Sequence, residues 1–408
     1  MSKGLYIHIP FCVKKCNYCD FLSAPASKET KEAYVAELIE EIKYKSFAFE
    51  NIYDEDSNDV DTIFIGGGTP SILSGKSIKK IMKEVDKNFY IMPGAEVTLE
   101  VNPGTLCDLE NEETIEEKLK FWKDAGINRI SMGLQSANDE ELKELGRIHD
   151  FNTFKENFKA LREAGFDNIN VDLMSALPGQ TIESYESTLR KVCELKPEHI
   201  SAYSLIIEEN TPFFEKYAED CKRREAGEVP HSLPSEEDER KMYEITKSVL
   251  EEYGYSRYEI SNYAKPGYEC KHNIRYWKRE EYLGLGLGAS SLIGNKRYKN
   301  LSDIEDYLGL FTKEEYLQYV SMYDEMEELD INARKEEFMF LGLRMMEGIN
   351  SGNFDSEFGQ GEFENTYGEI VRSLENKGLV QSVDKINWKL TEKGIDVSNV
   401  VLAEFLID

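Results

Sequence analysis

Cys12, Cys16 and Cys19 stand at the spacing C-x3-C-x2-C, directly behind a short apolar run, in the stretch Tyr-Ile-His-Ile-Pro-Phe-Cys-Val-Lys-Lys-Cys-Asn-Tyr-Cys-Asp-Phe from residue 6 to 21. Thiolates are the ligands of iron–sulfur clusters, and such clusters commonly take four. Three thiolates this close can hold three corners of a cube and leave one iron open to a small chelating molecule. A zinc knot is a plainer alternative, but it calls for a fourth Cys or His at compact spacing, and position 21 is Phe21. A redox thiol set and ordinary loop cysteines are the other plain readings.

Further polar residues punctuate apolar runs along the chain. Gly66-Gly67-Gly68-Thr69-Pro70 follows a strand pattern, and glycines there let backbone approach a ligand, or simply make a tight turn. Glu100 lies in Leu-Glu-Val-Asn-Pro, Gln135 in Met-Gly-Leu-Gln-Ser, Arg147 in Leu-Gly-Arg-Ile-His and Asp172 in Asn-Val-Asp-Leu-Met. Three of the four fall at strand ends, where an unpaired polar group is costly to bury. Capping or internal ion pairs would explain any one of them. Tyr6 shares a strand face with His8 by alternation, and His8 reads equally as a core histidine. Cys270-Lys-His-Asn-Ile-Arg-Tyr-Trp277 contains H-N-x-x-Y-W through His272, Asn273, Tyr276 and Trp277. Imidazole can ligate haem iron and aromatic rings can cover a porphyrin, although a lone histidine in such a setting is more often structural. Cys270 is a second candidate ligand, but C-x-H is not the covalent haem pattern C-x-x-C-H. Cys107, Cys193 and Cys221 have no partner spacing.

The elements that must position these residues alternate. Strand patterns occupy Leu5 to Ile9, Thr62 to Ile65, Val97 to Val101, Arg129 to Met132, Ile169 to Leu173 and Ile200 to Leu205, each followed by helical periodicity. Tyr34, Val35, Leu38, Ile39 and Ile42 mark the first helix; Ile78, Ile81, Met82 and Val85 mark the second. A local repeat, Lys-Asp-Ala-Gly-Ile-Asn-Arg-Ile-Ser-Met and Arg-Glu-Ala-Gly-Phe-Asp-Asn-Ile-Asn-Val, stops a helix at Gly126 or Gly165 and enters a strand. Six βα units predict a parallel α/β sheet, too few for a closed eight-stranded barrel. Leu283-Gly-Leu-Gly-Leu-Gly-Ala-Ser-Ser lacks a following Rossmann unit and reads as a close-packed segment, not a dinucleotide loop. Residues 50 to 61 and 218 to 241 are charged and aperiodic, predicting solvated loops or exposed helix ends. Residues 242 to 250 read as helix and Tyr255 to Tyr263 as an edge strand. The composition turns helical from about residue 315. A helix over 365 to 375, a hairpin turning at Asp384-Lys385 and a last helix capped by Thr391 outline a winged-helix-like end. The expected division is 1–240, 241–314 carrying H-N-x-x-Y-W, and 315–408.

The chain's 408 residues allow a large core, and 40% apolar with 31% charged residues describe a globular protein. No apolar run approaches the roughly 18 residues of a transmembrane helix, and the first residues enter a strand at once, so no signal peptide is expected. Seven cysteines, three of them packed together, suit a reducing cytoplasm and a metal site. A formal net charge of −29 opposes non-specific nucleic-acid binding, and the dense Asp and Glu of residues 324 to 384 oppose DNA binding by the winged-helix-like end.

The cysteine stretch, with Tyr18 before the third thiol, resembles the cluster loop of the radical S-adenosylmethionine (SAM) family. With Tyr-Ile-His-Ile-Pro-Phe in front, it resembles the branch that holds oxygen-independent coproporphyrinogen III dehydrogenase and a related haem chaperone. The resemblance implies a partial (βα)6 barrel followed by the smaller C-terminal module, a 4Fe–4S cluster on Cys12, Cys16 and Cys19, and SAM chelated to the open iron, where an electron from the cluster can split its sulfonium to a 5′-deoxyadenosyl radical. It implies that Tyr6, Tyr18, Gly67, Gly68, Thr69, Glu100, Gln135, Arg147 and Asp172 contact SAM, with the glycine segment on its amino group. The carboxylates would take ribose hydroxyls or the amino group, and Arg147 would hold the carboxylate as a planar fork. The dehydrogenase has a further cysteine where Phe21 stands, and H-N-x-x-Y-W resembles the chaperone's haem signature. The expectation is therefore a cytoplasmic chaperone, peripheral at the membrane during delivery, that binds haem at His272, Asn273, Tyr276 and Trp277 and hands it to a respiratory haem protein. The alternatives are radical decarboxylation of coproporphyrinogen III and a plain metal or redox protein.

Overall fold

The computed structural model describes residues 2–52, 58–107, 113–313 and 321–407. Its frame is β1 (Lys3–Ile9), β2 (Asp59–Gly67), β3 (Tyr90–Val101), β4 (Arg129–Gln135), β5 (Ile169–Ser175) and β6 (His199–Ser204), each paired parallel to the next. Between them run α1 (Lys28–Ile52), α2 (Gly75–Asn88), α3 (Ile115–Asp124), α4 (Asp139–Glu144), α5 (Phe151–Glu163) and α6 (Ile182–Glu194). This is the expected partial (βα)6 barrel. The strands are buried on both sides, as parallel strands under helices must be. On α2 the buried apolar side chains are Ile78, Ile81, Met82 and Val85, one helical stripe. Gly126 and Gly165 take φ of +86° and +81° where α3 and α5 stop, a conformation costly for a residue with a Cβ.

The sheet is larger than the sequence pattern indicates. After α7 (Pro212–Glu225) and α8 (Glu236–Glu252), the hairpin β7 (Ser256–Arg257) and β8 (Asn262–Ala264) pairs antiparallel with β6. At the other edge, beyond α9 (Lys271–Trp277), β9 (Tyr282–Leu285) pairs parallel to β1. Antiparallel β10 (Ser290–Ile293), β11 (Lys296–Asn300) and, after α10 (Ile304–Tyr307), β12 (Tyr323–Glu328) extend it. The order is β12-β11-β10-β9-β1-β2-β3-β4-β5-β6-β8-β7.

Two readings change, and the two charged stretches hold the helix ends expected of them. Residues 218 to 241 are mainly helix: α7 reaches Glu225, α8 starts at Glu236, and Asp220 ties the connection by accepting from the amides of His231, Ser232 and Leu233. Their charge is that of exposed helix faces. Within 50 to 61, α1 runs to Ile52 and β2 starts at Asp59, while residues 53–57 lie outside the described set. The single strand Tyr255 to Tyr263 is two short strands, because buried Glu259 turns the chain by accepting from Ser261 N and Asn262 Nδ2. Tyr-Asp-Glu-Met-Glu-Glu of β12 is a strand of the large sheet, not helix. An edge strand needs only backbone pairing on one side and can keep its charges in water. Leu283 to Ser291 spans the β9–β10 turn. Its close packing is real: a Cβ on Gly284 would collide with the Ser290 carbonyl.

The C-terminal module is α11 (Ile331–Gly342), β13 (Ile349–Asn350), α12 (Ser351–Phe358), α13 (Glu362–Asn376), the hairpin β14 (Val380–Ser382) and β15 (Asn387–Leu390), α14 (Glu392–Asp396) and α15 (Ser398–Ala403). Asp384 accepts from the Ile386 and Asn387 amides at the hairpin turn, and Thr391 caps α14 through Gly394 N at 3.0 Å. The expected helix, hairpin and helix are present, with β13 as a third strand beside β15. Its core centres on Phe354, Tyr367, Leu374 and Phe405.

Candidate functional site: a cluster loop above the strand ends

The loop after β1 carries Cys12, Cys16 and Cys19 over the C-terminal ends of the parallel strands, where ligands bind in such folds. The Cys12 amide donates to Ala24 O at 3.2 Å and the Cys19 amide to Cys16 O at 3.2 Å, folding the loop on itself. His8 ties it to the sheet. Its Nε2 donates to Leu22 O at 2.9 Å, which leaves Nδ1 to accept from the Tyr6 hydroxyl at 2.9 Å. Burial holds the His8 pKa below its usual range, in keeping with this neutral tautomer.

Below the loop lies a cavity of about 650 Å³. The three cysteines, Tyr6, Tyr18, Gly67, Gly68, Thr69, Glu100, Gln135, Arg147 and Asp172 all line it. Thr69 Oγ1 sits 3.4 Å from Cys12 Sγ, and Arg147 Nη1 sits 3.6 Å from Cys16 Sγ. Gly67 N donates to Glu100 Oε2 at 3.0 Å, fixing the glycine segment to the neighbouring strand. A Cβ on Gly68 would press on Phe11 backbone at 2.7 Å, and one on Gly67 would meet the His8 ring at 2.5 Å. These contacts require glycine there.

Arg147 Nη2 donates to Asn102 Oδ1 at 2.9 Å and to Gly133 O, while its buried Nε has no partner among the described residues. Gln135, held at φ +72°, donates to the Tyr18 hydroxyl at 3.3 Å and leaves its Oε1 buried and unpaired. Asp172 accepts from Asn170 Nδ2 at 2.8 Å and Ser131 Oγ at 3.3 Å. Burial, then the nearby Asp172, pushes the Glu100 carboxyl up to about 8; burial also raises Asp172. Tyr18 is pushed up to about 12 by burial. Two raised carboxyls, a guanidinium and orphaned polar atoms suit a zwitterionic, hydroxyl-rich ligand. The three thiols fit a cluster: they share the cavity with an arginine and a threonine hydroxyl. Among the described residues no group of three or more His, Cys, Asp or Glu side chains is spaced for a single metal ion.

H-N-x-x-Y-W forms most of α9. His272, Asn273 and Tyr276 line the same cavity, but Trp277 does not. Trp277 lines a second cavity of about 620 Å³, which shares Tyr6, Phe21, Gly67, Glu100 and Tyr276 with the first. His272 is fully buried, with Nδ1 2.9 Å from Thr62 Oγ1 and Nε2 2.8 Å from the Tyr276 hydroxyl. Burial, then Arg275, pulls its pKa down to about 3. Both nitrogens are occupied, so in this arrangement the imidazole positions Tyr276 rather than presenting a lone pair to iron. Cys270 is buried at the start of α9, its Sγ 3.5 Å from Glu96 Oε1, and burial pushes its thiol up to about 12.

Sequence reasoning passed over Asn102, Ser131 and Asn170. For Asn170 the signal was strand alternation, since it lies two residues from Asp172 on the same face of β5; Asn102 directly follows the last residue of β3.

A family model described as the radical SAM superfamily matches residues 6–192, and one described as the HemN C-terminal domain matches residues 329–397. The chain is 38% identical over 403 residues to the heme chaperone HemW of Lactococcus lactis, covering 99% of this chain and 97% of that one. It is 35% identical to HemW of Bacillus subtilis, with 99% of each chain covered. The chain belongs to the HemW family of radical SAM proteins. A solved structure described as coproporphyrinogen III oxidase (HemN) from Escherichia coli superposes with a TM-score of 0.79 at 24% identity, over 99% of this chain and 90% of that one. That likeness gives the HemW-family chain its fold, barrel and C-terminal module together. Its radical SAM module implies a 4Fe–4S cluster and SAM.

Proposed function

We propose that this protein is a haem chaperone that holds a 4Fe–4S cluster on Cys12, Cys16 and Cys19, binds SAM in the cavity beneath it, and carries haem at the H-N-x-x-Y-W segment. The observation that carries the reading is full-length similarity to HemW proteins in a chain whose H-N-x-x-Y-W helix abuts the cluster cavity. Cluster and SAM together supply reducing, radical-forming chemistry when bound. The chain's own residues do the rest. Gly67, Gly68 and Thr69 bring backbone close to the ligand, Arg147 offers a guanidinium to its carboxylate, and Glu100, Gln135 and Asp172 offer oxygen and nitrogen to its amino group and ribose. Tyr6 and Tyr18 wall the pocket.

Phe21 supports the chaperone over the dehydrogenase. It stands at the mouth of both cavities, 69% exposed, and cannot supply the dehydrogenase's extra thiol. The proposed setting is cytoplasmic, with transfer to a haem protein of the respiratory membrane. Among the described residues no helix is long and apolar enough to cross a membrane. Anaerobically reconstituted protein should bind haem in a spectral titration and leave coproporphyrinogen III unconverted with SAM and reductant. Catalytic formation of protoporphyrinogen would replace this reading with the dehydrogenase.

A further inference from the structure

The second cavity differs in chemistry from the first. Tyr276, Trp277, Tyr282, Leu292 and Leu341 give it broad aromatic and aliphatic walls, and Arg297 of β11 stands in it as a cation. At about 620 Å³ it falls in the range of sites for sizeable small molecules. The C-terminal module completes it: Leu341 of α11 is a wall, and the Arg344 guanidinium lies 4.4 Å from the Trp277 ring centroid.

Arg297 is only partly satisfied. Its Nη2 meets Glu337 Oε1 at 2.8 Å, its Nε is buried without a partner, and 40% of its side chain is exposed. Glu337 also pairs with Arg279 at 3.5 Å; Arg279 and Arg334 in turn share Glu357 at 3.1 and 3.0 Å. Within this chain of ion pairs, three guanidiniums face two carboxylates. One positive charge is left over on a protein of formal net charge −29. A ligand carboxylate can take Arg297 while Glu337 keeps Arg279, so no charge is stranded.

We infer that the second cavity is the porphyrin seat, with the flat macrocycle between the aromatic walls and a propionate carboxylate on Arg297. This deepens the chaperone reading and rests on it. It also gives Trp277 a role that the first cavity does not, and it moves the weight of haem recognition from His272 to β11 and the C-terminal module. The wall shared by Tyr6, Glu100 and Tyr276 places this ligand beside the SAM pocket.

The test compares haem with its dimethyl ester, which keeps the macrocycle but hides both carboxylates, in spectral titrations of the cluster-loaded protein. Arg297→Ala should lower haem affinity about tenfold and leave the ester unchanged, so that discrimination between the two disappears. Ser290→Phe, which fills the cavity from β10, should weaken both ligands while SAM affinity and iron content stay at the wild-type level. These two controls show that each variant is folded. If the wild type binds haem but Arg297→Ala keeps full discrimination, or Ser290→Phe binds both ligands normally, the seat is elsewhere and the inference falls alone. If the wild type binds neither ligand, the chaperone reading falls and takes the inference with it.

Discussion

Thr62 Oγ1 and His272 Nδ1 lie 2.9 Å apart, joined across 210 residues of chain. With Tyr276 on the other ring nitrogen, His272 links β2 to the residue that walls both cavities. His272→Ala should therefore cost about 1–3 kcal/mol of stability, from buried partners left unpaired, and weaken haem binding by loosening Tyr276. The Soret position should not move. A shifted Soret band in a folded, iron-replete variant would instead assign iron ligation to His272.

Cys12, Cys16 and Cys19 occupy one loop over one cavity. Anaerobic reconstitution should load about four irons per chain, as one cluster requires, and the triple Cys→Ser variant should load almost none. Single-variant loss at Cys107, which is exposed and outside the loop, should leave iron content unchanged. Zinc in place of iron in protein purified without oxygen would remove the cluster.

Arg147, which lines the cavity, is held by Asn102 and Gly133 O, with its buried Nε unpaired. Arg147→Ala should weaken SAM binding by about 1–3 kcal/mol if the guanidinium pairs with the ligand's carboxylate. Asn102→Ala should weaken it less, since it only aims the arginine. Calorimetry giving wild-type SAM affinity for Arg147→Ala would take Arg147 out of the site.

Glu100 has a pKa of about 8 in the ligand-free fold, against an ordinary value of 4.5. Between those values the folded chain holds a proton that the unfolded chain has released, so this group's stabilising contribution is full below about 4.5 and is lost as pH rises through about 8. Glu100→Gln cannot titrate. Denaturant melts of the ligand-free protein at pH 5 and pH 8 should show a larger loss for wild type than for Glu100→Gln. Equal losses would place the Glu100 carboxyl back in the ordinary range.

Much of the frame is legible in the chain because its signals are local. The cysteine spacing, the alternating βα pattern, Gly126 and Gly165 as helix stops, and the Asp384 turn each depend on a few adjacent residues. Family resemblance in the same stretches supplied the expected roles of Gly67, Glu100, Gln135, Arg147 and Asp172, and the fold brings all of them to one cavity. What the sequence could not decide was pairing over distance. β9 reads as a glycine-rich segment until it lies parallel to β1, and β12 is too charged to look like a strand until β11 pairs with it. His272 looks like an open ligand until Thr62 and Tyr276 take its two nitrogens. Trp277 shares a motif with His272, yet the helix turns it into a different cavity, closed by Leu341 from another module. Periodicity sets which face a side chain occupies; only the packed chain sets what it meets there, because a hydrogen bond or a cavity wall needs partners that sequence distance hides.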